Sequence, residues 1–198
     1  FEQRGKSGGS RKRSSGFSSS RGGSDESADA KPAREKKPPT PERLEQRARN
    51  VLLHQLARSA KSTHQLRKIL EQREIPSEIA ERVLVRFTEV GLIDDQAYAE
   101  TIVNSRRNFK GLSKSAIKRE LNEKGVPAPF IEQAIESITA EDDLVAAQEL
   151  AARRIRQMST LAKDVRERRL AGYLGRKGYP SSVVFAAIRF AESQLELD

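Results

Sequence analysis

Residues 124–127 (KGVP) and residues 177–180 (KGYP) carry the same turn signal at two places in the chain. In each stretch a glycine follows a helical pattern, and an apolar residue and a proline come next. This order is typical of a helix that ends in a left-handed glycine, after which the apolar residue contacts the last helical turn. We therefore predict that each stretch joins two helices, with Gly125 and Gly178 in the left-handed conformation.

A third turn of the same kind reveals an internal repeat. Pro76, Pro127 and Pro180 are separated by 51 and 53 residues. The apolar residues around them recur in the same register: Leu66, Ile117 and Leu170; Leu70, Leu121 and Leu174; Leu84, Ile135 and Ile188. A repeat of about 50 residues is typical of units that stack on their neighbours, so we expect an elongated, curved array. Because Glu74 replaces the glycine in the first unit, we expect this helix end to be strained by about 1 kcal/mol or to be built differently.

The spacing of apolar residues is helical from Thr40 onward, and strand-like alternation never extends beyond a few residues. The fold class is therefore all-α, with three tandem three-helix repeats over residues 40–93, 94–139 and 140–198. We expect helices at about 41–59, 62–73 and 77–90, then 95–108, 113–124 and 128–138, then 140–158, 161–177 and 181–195. Thr40 is a predicted N-cap, and Thr139 with Asp142 forms a predicted capping box.

Residues 1–39 have the composition of a disordered tail. They contain 9 Ser and 6 Gly, together with basic clusters and almost no aliphatic side chains. Such a segment cannot bury enough apolar surface to offset the entropy lost on ordering. We expect a solvated N-terminal tail, whose arginines can also hold nucleic acid loosely.

The overall charge indicates a class of partner. Of 198 residues, 37 are Lys or Arg and 28 are Asp or Glu, which gives a net charge of +9. This surplus favours a polyanionic partner, above all nucleic acid. The sequence has no cysteine, which excludes disulfides and thiolate metal sites. No uncharged stretch of the folded part reaches the ~20 residues of a membrane span, so we expect no membrane partner. We also expect the protein to be cytoplasmic and monomeric.

No pattern of residues indicates catalysis. His54 and His64, the two histidines, are ten residues apart and match no metal-binding motif. Glycine-rich phosphate loops of the common types are missing from the sequence. The acidic pairs at residues 94–95 and 142–143 fall at predicted helix starts, where the helix dipole explains them. We therefore expect a protein that is not an enzyme and needs no metal or cofactor.

The basic residues form a pattern of their own. The second helices of the units carry more Lys and Arg than Asp and Glu, and the third helices carry the reverse. This argues against a helix-turn-helix reader, which would insert a basic or amide-rich third helix into the major groove. We expect a nucleic-acid or filament-facing basic surface across the middle and last units, although a solvated face is the alternative for any single residue. Its predicted members are Arg106, Arg107, Lys110, Lys114, Lys118, Arg119, Lys124, Arg153, Arg154, Arg156, Arg166, Arg168, Arg169, Arg176 and Lys177.

Two further expectations concern side-chain positions. Lys110, Lys114 and Lys118 are spaced by four, so they are expected to project from one side where the chain is helical. The aromatic residues are too few and too isolated for a base-stacking platform and are interpreted as core residues: Tyr98, Phe130, Tyr173 and Phe185.

The sequence resembles the RecX family of regulatory proteins. The resemblance covers about residues 41–198 and is strongest at residues 91–99 (GLIDDQAYA), followed by Arg106-Arg107 and by residues 176–179 (RKGY). The motif residues are Gly91, Asp94, Asp95, Tyr98, Ala99, Gly111, Gly125 and Gly178. The long tail and Glu74 are the features that depart from the family pattern.

The resemblance implies a non-enzymatic modulator of the RecA recombinase. Proteins of this family are arrays of three-helix repeats that lie in the groove of the RecA–single-stranded-DNA filament and mostly inhibit ATP hydrolysis and strand exchange. The implied partners are therefore the RecA filament and its single-stranded DNA, contacted directly or through the filament. Two alternatives remain, a general nucleic-acid-binding helical protein and a pure interaction scaffold.

Overall fold

The structure, a computed structural model, describes residues 40–196, which contain nine α-helices and no strand. The predicted tail, residues 1–39, lies outside the described residues. The helices are α1 (Pro41–Arg58), α2 (Thr63–Gln72), α3 (Ser77–Glu89), α4 (Asp95–Ser105), α5 (Lys114–Glu123), α6 (Ala128–Ile135), α7 (Ala140–Arg156), α8 (Lys163–Arg176) and α9 (Ser181–Leu195). The all-α fold of three three-helix units is confirmed. None of the described helices combines the length and the apolar character needed to cross a membrane.

Each unit has its own apolar core. The three clusters of buried side chains lie within α1–α3, α4–α6 and α7–α9 together with the loops that join them. The residues that recur in the sequence take the same place in each cluster: Leu66 and Leu70, Ile117 and Leu121, and Leu170 and Leu174 are all fully buried. The helical spacing thus identified the core-facing side of the second helix of every unit.

The two glycine turns have the predicted left-handed geometry. Gly125 has a φ of 69°, and the N–H of Val126 donates to the carbonyl of Leu121 at 3.1 Å. Gly178 has a φ of 86°, with the equivalent bond from Tyr179 to Leu174. These pairings satisfy carbonyl groups that the helix end would otherwise leave without a partner.

Glu74 adopts the same conformation as the two glycines. Its φ is 58°, and the N–H of Ile75 donates to the carbonyl of Leu70 at 3.1 Å. The first turn is therefore strained and not built differently, since a side chain in the left-handed region costs about 1 kcal/mol or more.

Each glycine turn packs against the preceding unit, where a buried serine receives it. Ser62, the N-cap of α2, donates its hydroxyl to the carbonyl of Lys124 at 2.6 Å. Ser113, the N-cap of α5, donates its hydroxyl to the carbonyl of Gly178 at 2.7 Å. Both serines also accept a hydrogen bond from the third residue of their own helix, so one hydroxyl joins two units and caps a helix.

The glycines are required at these junctions by space as well as by backbone conformation. A Cβ atom at position 125 would overlap the side chain of His64, and one at position 178 would lie 2.6 Å from the Cβ of Ala116. Neither contact is possible without a shift of the neighbouring unit. We refer to the turns with the serines that receive them as the Gly–Ser junctions.

The helix caps agree with prediction, and two other expectations are wrong. The Thr40 N-cap and the Thr139–Asp142 capping box are both present. The fourth helix does not run to residue 108, because α4 ends at Ser105 and a π turn spans Arg106–Lys110. Phe185 is 63% exposed and is not a core residue, whereas Tyr98 is buried and Phe130 and Tyr173 are partly buried.

The G178A variant tests the Gly–Ser junction. We expect an overpacking cost of about 1–3 kcal/mol in addition to the ~1–2 kcal/mol of a left-handed alanine. G91A is the matched control, because Gly91 has a φ of 71° but a Cβ added there meets nothing within 4 Å. Urea unfolding followed by circular dichroism should show the larger loss of unfolding free energy for G178A. Equal losses of unfolding free energy in G178A and G91A would mean that the junction does not constrain position 178.

The E74G variant tests the strain in the first turn. Relief of the left-handed strain should raise the free energy of unfolding by about 0.5–1 kcal/mol, after subtraction of the entropy that glycine adds to the unfolded chain. E74A is the control, since it removes the carboxylate but keeps a Cβ at the same φ. A gain in both variants would assign the effect to the charge and not to the backbone.

Candidate functional site

The first part of the predicted basic surface lies in the π turn, where two neighbouring arginines reach different units. Arg106 makes a bidentate pair with Glu120 of its own unit, at 2.6 Å between Nη2 and Oε1. Arg107 pairs with Asp143 of the following unit. Both arginine side chains are only 18% exposed. The hydrogen bonds from Arg106 lower the pKa of Glu120, so both members of this pair are charged at neutral pH.

Other predicted surface cations are also held by acceptors of the fold. The Nζ of Lys114 donates to the carbonyl of Ile138 at 2.7 Å. Lys118 pairs with Glu132 at 2.6 Å, and Lys124 approaches Glu120 at 3.7 Å. Arg166 pairs with Glu192 at 2.5 Å, and the two side chains are 13% and 6% exposed.

These contacts correct the expectation of a single solvent-facing basic surface. Arg106, Arg107, Lys114 and Arg166 are bound within or between units and do not face solvent as free cations. Lys110 is not in line with Lys114 and Lys118, because the left-handed Gly111 and a loop separate it from α5. The four bound side chains are held in this way because a partly buried charge needs a partner, and the neighbouring helices supply one.

The remaining predicted cations are exposed or partly exposed on the middle and third units. Lys110 and Arg119 are exposed on the middle unit, and Arg153 and Arg156 are exposed on α7. Among them Lys110, Arg119 and Arg153 have no ion pair within residues 40–196. The last group lies on the third unit, over the ring of Tyr173 or on the concave surface that Tyr173 helps to line: Arg154, Arg168, Arg169, Arg176 and Lys177.

We call the concave surface around this ring the Tyr173 cavity. It has a volume of about 470 Å³ and is lined by Arg154, Arg168, Arg169, Arg176 and Tyr173, together with the buried Met158. None of the described residues that line it is acidic. Lys177 Nζ lies 5.0 Å and Arg154 Cζ 5.8 Å from the centre of the Tyr173 ring. The cavity therefore concentrates positive charge beside an aromatic side chain.

The residues of the sequence motif build turns and junctions. Gly91 ends α3 with a φ of 71°, and Gly111 ends the π turn with a φ of 57°. Asp94 is the N-cap of α4, and Asp95 accepts a hydrogen bond from the N–H of Thr63 in the preceding unit at 2.8 Å.

Tyr98, Ala99, Gly125 and Gly178 complete this set. Tyr98 donates its hydroxyl to Gln65 of the first unit at 3.2 Å, and Ala99 is fully buried. Gly125 and Gly178 form the Gly–Ser junctions described above. Four of the motif residues therefore contact a neighbouring unit, namely Asp95, Tyr98, Gly125 and Gly178.

Sequence reasoning missed two kinds of residue. Ser62 and Ser113 are 51 residues apart, which is the repeat length, and Gln65 completes a capping box with Ser62, so their role was detectable. Phe109 was not singled out, yet its side chain is 88% exposed in the π turn. Its exposure follows from the π turn, which the sequence does not reveal.

The histidines have ordinary surroundings. His64 packs against Gly125 at the first junction, and His54 is exposed on α1. Within the described range, no group of three or more His, Asp or Glu side chains is arranged to hold a metal ion.

Known proteins are similar to this chain in both sequence and fold. Family models of the first, second and third RecX three-helix domains match residues 48–87, 94–135 and 141–188, respectively. Regulatory protein RecX of Streptomyces coelicolor is 43% identical over 157 residues, which cover 79% of this chain and 83% of that protein. Regulatory protein RecX of Thermobifida fusca is 37% identical over 149 residues, which cover 75% and 80%.

Solved structures agree with these matches. RecX from Lactobacillus salivarius superposes with a TM-score of 0.65 over 76% of this chain and 97% of that chain, and at 19% identity it shows the shared fold. A second crystal structure, of regulatory protein RecX, has a TM-score of 0.61 and 26% identity over 72% of this chain and 70% of that chain. Three successive domain matches and relatives of this similarity establish that the chain belongs to the RecX family of regulatory proteins.

Proposed function

We propose that this protein binds the filament that a RecA-type recombinase forms on single-stranded DNA and reduces its ATP hydrolysis and strand exchange. Membership of the RecX family supports a regulatory role, and the family resemblance names RecA as the partner. The observation that carries the proposal is that exposed, unpaired cations remain on the middle and third units after the internal ion pairs are accounted for. Such a distribution fits a long polyanionic partner.

The junctions between units give this proposal a mechanism. Because Ser62 and Ser113 attach each unit to the next, the three units form a linked series of binding surfaces. A filament presents identical protomers in succession, so contacts by several units add through effective concentration. We expect the exposed cations to lie near the DNA phosphates and the first unit to contribute protein contacts. The protein acts in this scheme by binding, without a chemical step of its own.

An ATPase titration tests the proposal. Addition of the full chain to recombinase on single-stranded DNA should lower the rate of ATP hydrolysis. The variant with Lys110, Arg119 and Arg153 replaced by Ala should need about tenfold more protein for half inhibition, which corresponds to ~1.4 kcal/mol shared by three cations. All three side chains are exposed, so far-UV circular dichroism should be unchanged.

The matched control replaces Arg58, Lys68 and Arg82 of the first unit, which are also exposed. Both triple variants lower the net charge from +9 to +6, because each loses three cations. Equal effects of the two variants would contradict a role for the middle and third units. No inhibition by the unmodified chain would contradict the proposal itself.

General nucleic-acid binding is the second candidate function, favoured by the net charge of +9. It predicts binding to naked DNA whose affinity falls steeply with salt, without any effect on the recombinase. A pure interaction scaffold, in contrast, would show neither DNA affinity nor salt sensitivity. The same ATPase titration, run beside a salt series on naked DNA, separates the three functions.

A further inference from the structure

We propose that the Tyr173 cavity and the exposed ring of Phe109 together form a direct binding site for single-stranded nucleic acid. Arginine side chains of the cavity contact backbone phosphates, and Phe109 stacks on an unpaired base. This inference deepens the proposed function and rests on it for the place where the protein meets such a strand. The site itself is defined by contacts within the middle and third units.

The charge of the cavity favours a phosphate ligand. Arg168, Arg169 and Arg176 form no ion pair within the described part of the chain, in contrast to Arg106, Arg107 and Arg166. A guanidinium group presents donors in a planar fork that matches two phosphate oxygens. Several unpaired guanidinium groups around one concave surface are costly through their mutual repulsion, and a polyanion that binds there relieves that repulsion.

Tyr173 holds two further cations without neutralising them. Lys177 and Arg154 lie 5.0 Å and 5.8 Å from its ring centre, and Arg154 also donates to the amide oxygen of Gln157 at 2.6 Å. An aromatic ring attracts a cation through its quadrupole but leaves the full charge in place. A carboxylate in the same position would cancel the charge. The cavity therefore orders its cations and keeps them available to an anion.

The backbone that carries Phe109 is anchored on both sides. The ion pair of Arg107 with Asp143 attaches the π turn to the third unit. The hydroxyl of Tyr179 donates to the carbonyl of Gly111 at 3.2 Å, just after the turn. The ring of Phe109 itself is 88% exposed. An aromatic ring presented on an ordered turn loses little conformational entropy when it stacks on a ligand.

Lys177 links Phe109 to the cavity. Its Nζ donates a hydrogen bond to the carbonyl of Lys110, the residue that follows Phe109. The same ammonium group lies over the Tyr173 ring. A strand that follows this path passes from the stacking ring over Lys110 and Lys177 to the arginine cluster.

The combination selects a single strand over a duplex. Arginine contacts to phosphates are available in both forms of nucleic acid, but the face of a base is accessible only where it is not stacked within a helix. Phe109 therefore adds affinity only for unpaired bases. An arginine cluster without such a ring would not distinguish the two forms.

The F109W variant reports stacking directly. The chain contains no tryptophan, so this substitution introduces its sole indole fluorophore. Titration with a 20-nucleotide oligo(dT), in the absence of recombinase, should quench its fluorescence. The matched control is V85W, at a position of the first unit that is 55% exposed, and its fluorescence should not change. Equal or absent quenching in the two variants would overturn the assignment of Phe109.

Affinity and its salt dependence separate the ring from the arginines. F109A should weaken oligo(dT) binding by about 5- to 150-fold, the effect of losing one stacked base, with the salt slope unchanged. Replacement of Arg154, Arg168 and Arg169 by Ala should reduce the slope of log K against log salt by about 2, since each phosphate contact on a single strand contributes ~0.7. Fluorescence anisotropy of labelled oligo(dT) and of the matching duplex measures both quantities.

The controls distinguish this inference from the proposed function. The first-unit variant lacking Arg58, Lys68 and Arg82 has the same net charge as the cavity variant and should leave the slope nearly unchanged. An equal reduction of the salt slope in the two variants would contradict the assignment of the binding site to the cavity. If the full chain inhibits the recombinase but F109A and the cavity variant bind oligo(dT) normally, the inference fails and the proposed function stands. If oligo(dT) binding depends on these residues without any inhibition, the proposed function fails and the site stands.

Discussion

The structure depends on one contact, the packing of a left-handed glycine turn against a buried serine of the preceding unit. Ser62 and Ser113 each use a single hydroxyl to cap a helix and to bind a turn carbonyl of the next unit. Both serines are buried, so loss of the Ser62 hydroxyl would remove the side-chain partner of the Lys124 carbonyl, whereas the Gly178 carbonyl also accepts a hydrogen bond from Ser115. Because each unit already has its own core, these junctions, together with the Asp95–Thr63 hydrogen bond and the Arg107–Asp143 ion pair, determine how the units are joined.

Two positions of the repeat depart from the residues found at the junctions. Glu74 takes the left-handed conformation of the junction glycines, which costs a residue with a side chain about 1 kcal/mol or more. The N-cap of α8 is Ala162, which lacks the hydroxyl that Ser62 and Ser113 supply at the N-caps of α2 and α5. The three units are therefore equivalent in fold but not in the residues that occupy these positions.

The basic residues divide into two classes with different physical roles. Arg106, Arg107 and Arg166 are largely buried and pair with carboxylates, so their charge is used within the protein. Among the described residues, none of those that line the Tyr173 cavity is acidic, so the charge of its arginines is not neutralised there. The net charge does not separate these two classes. A cation and an anion contribute the same sum whether they form an ion pair or lie far apart. The separation locates the candidate site on the third unit and the adjoining π turn.

The sequence by itself determined the helices, the three units, the core side of the second helices and the left-handed turns. All of these follow from local signals, namely apolar spacing, glycine followed by proline, and helix caps, which act over a few residues and recur with the repeat. The tertiary structure alone decided which cations are free and that Phe109 and Phe185 are exposed. Arg107 meets Asp143 across 36 residues, and Lys177 reaches Lys110 across 67. Such partners are chosen by the packing of one unit on another, which has no short-range signature in the chain.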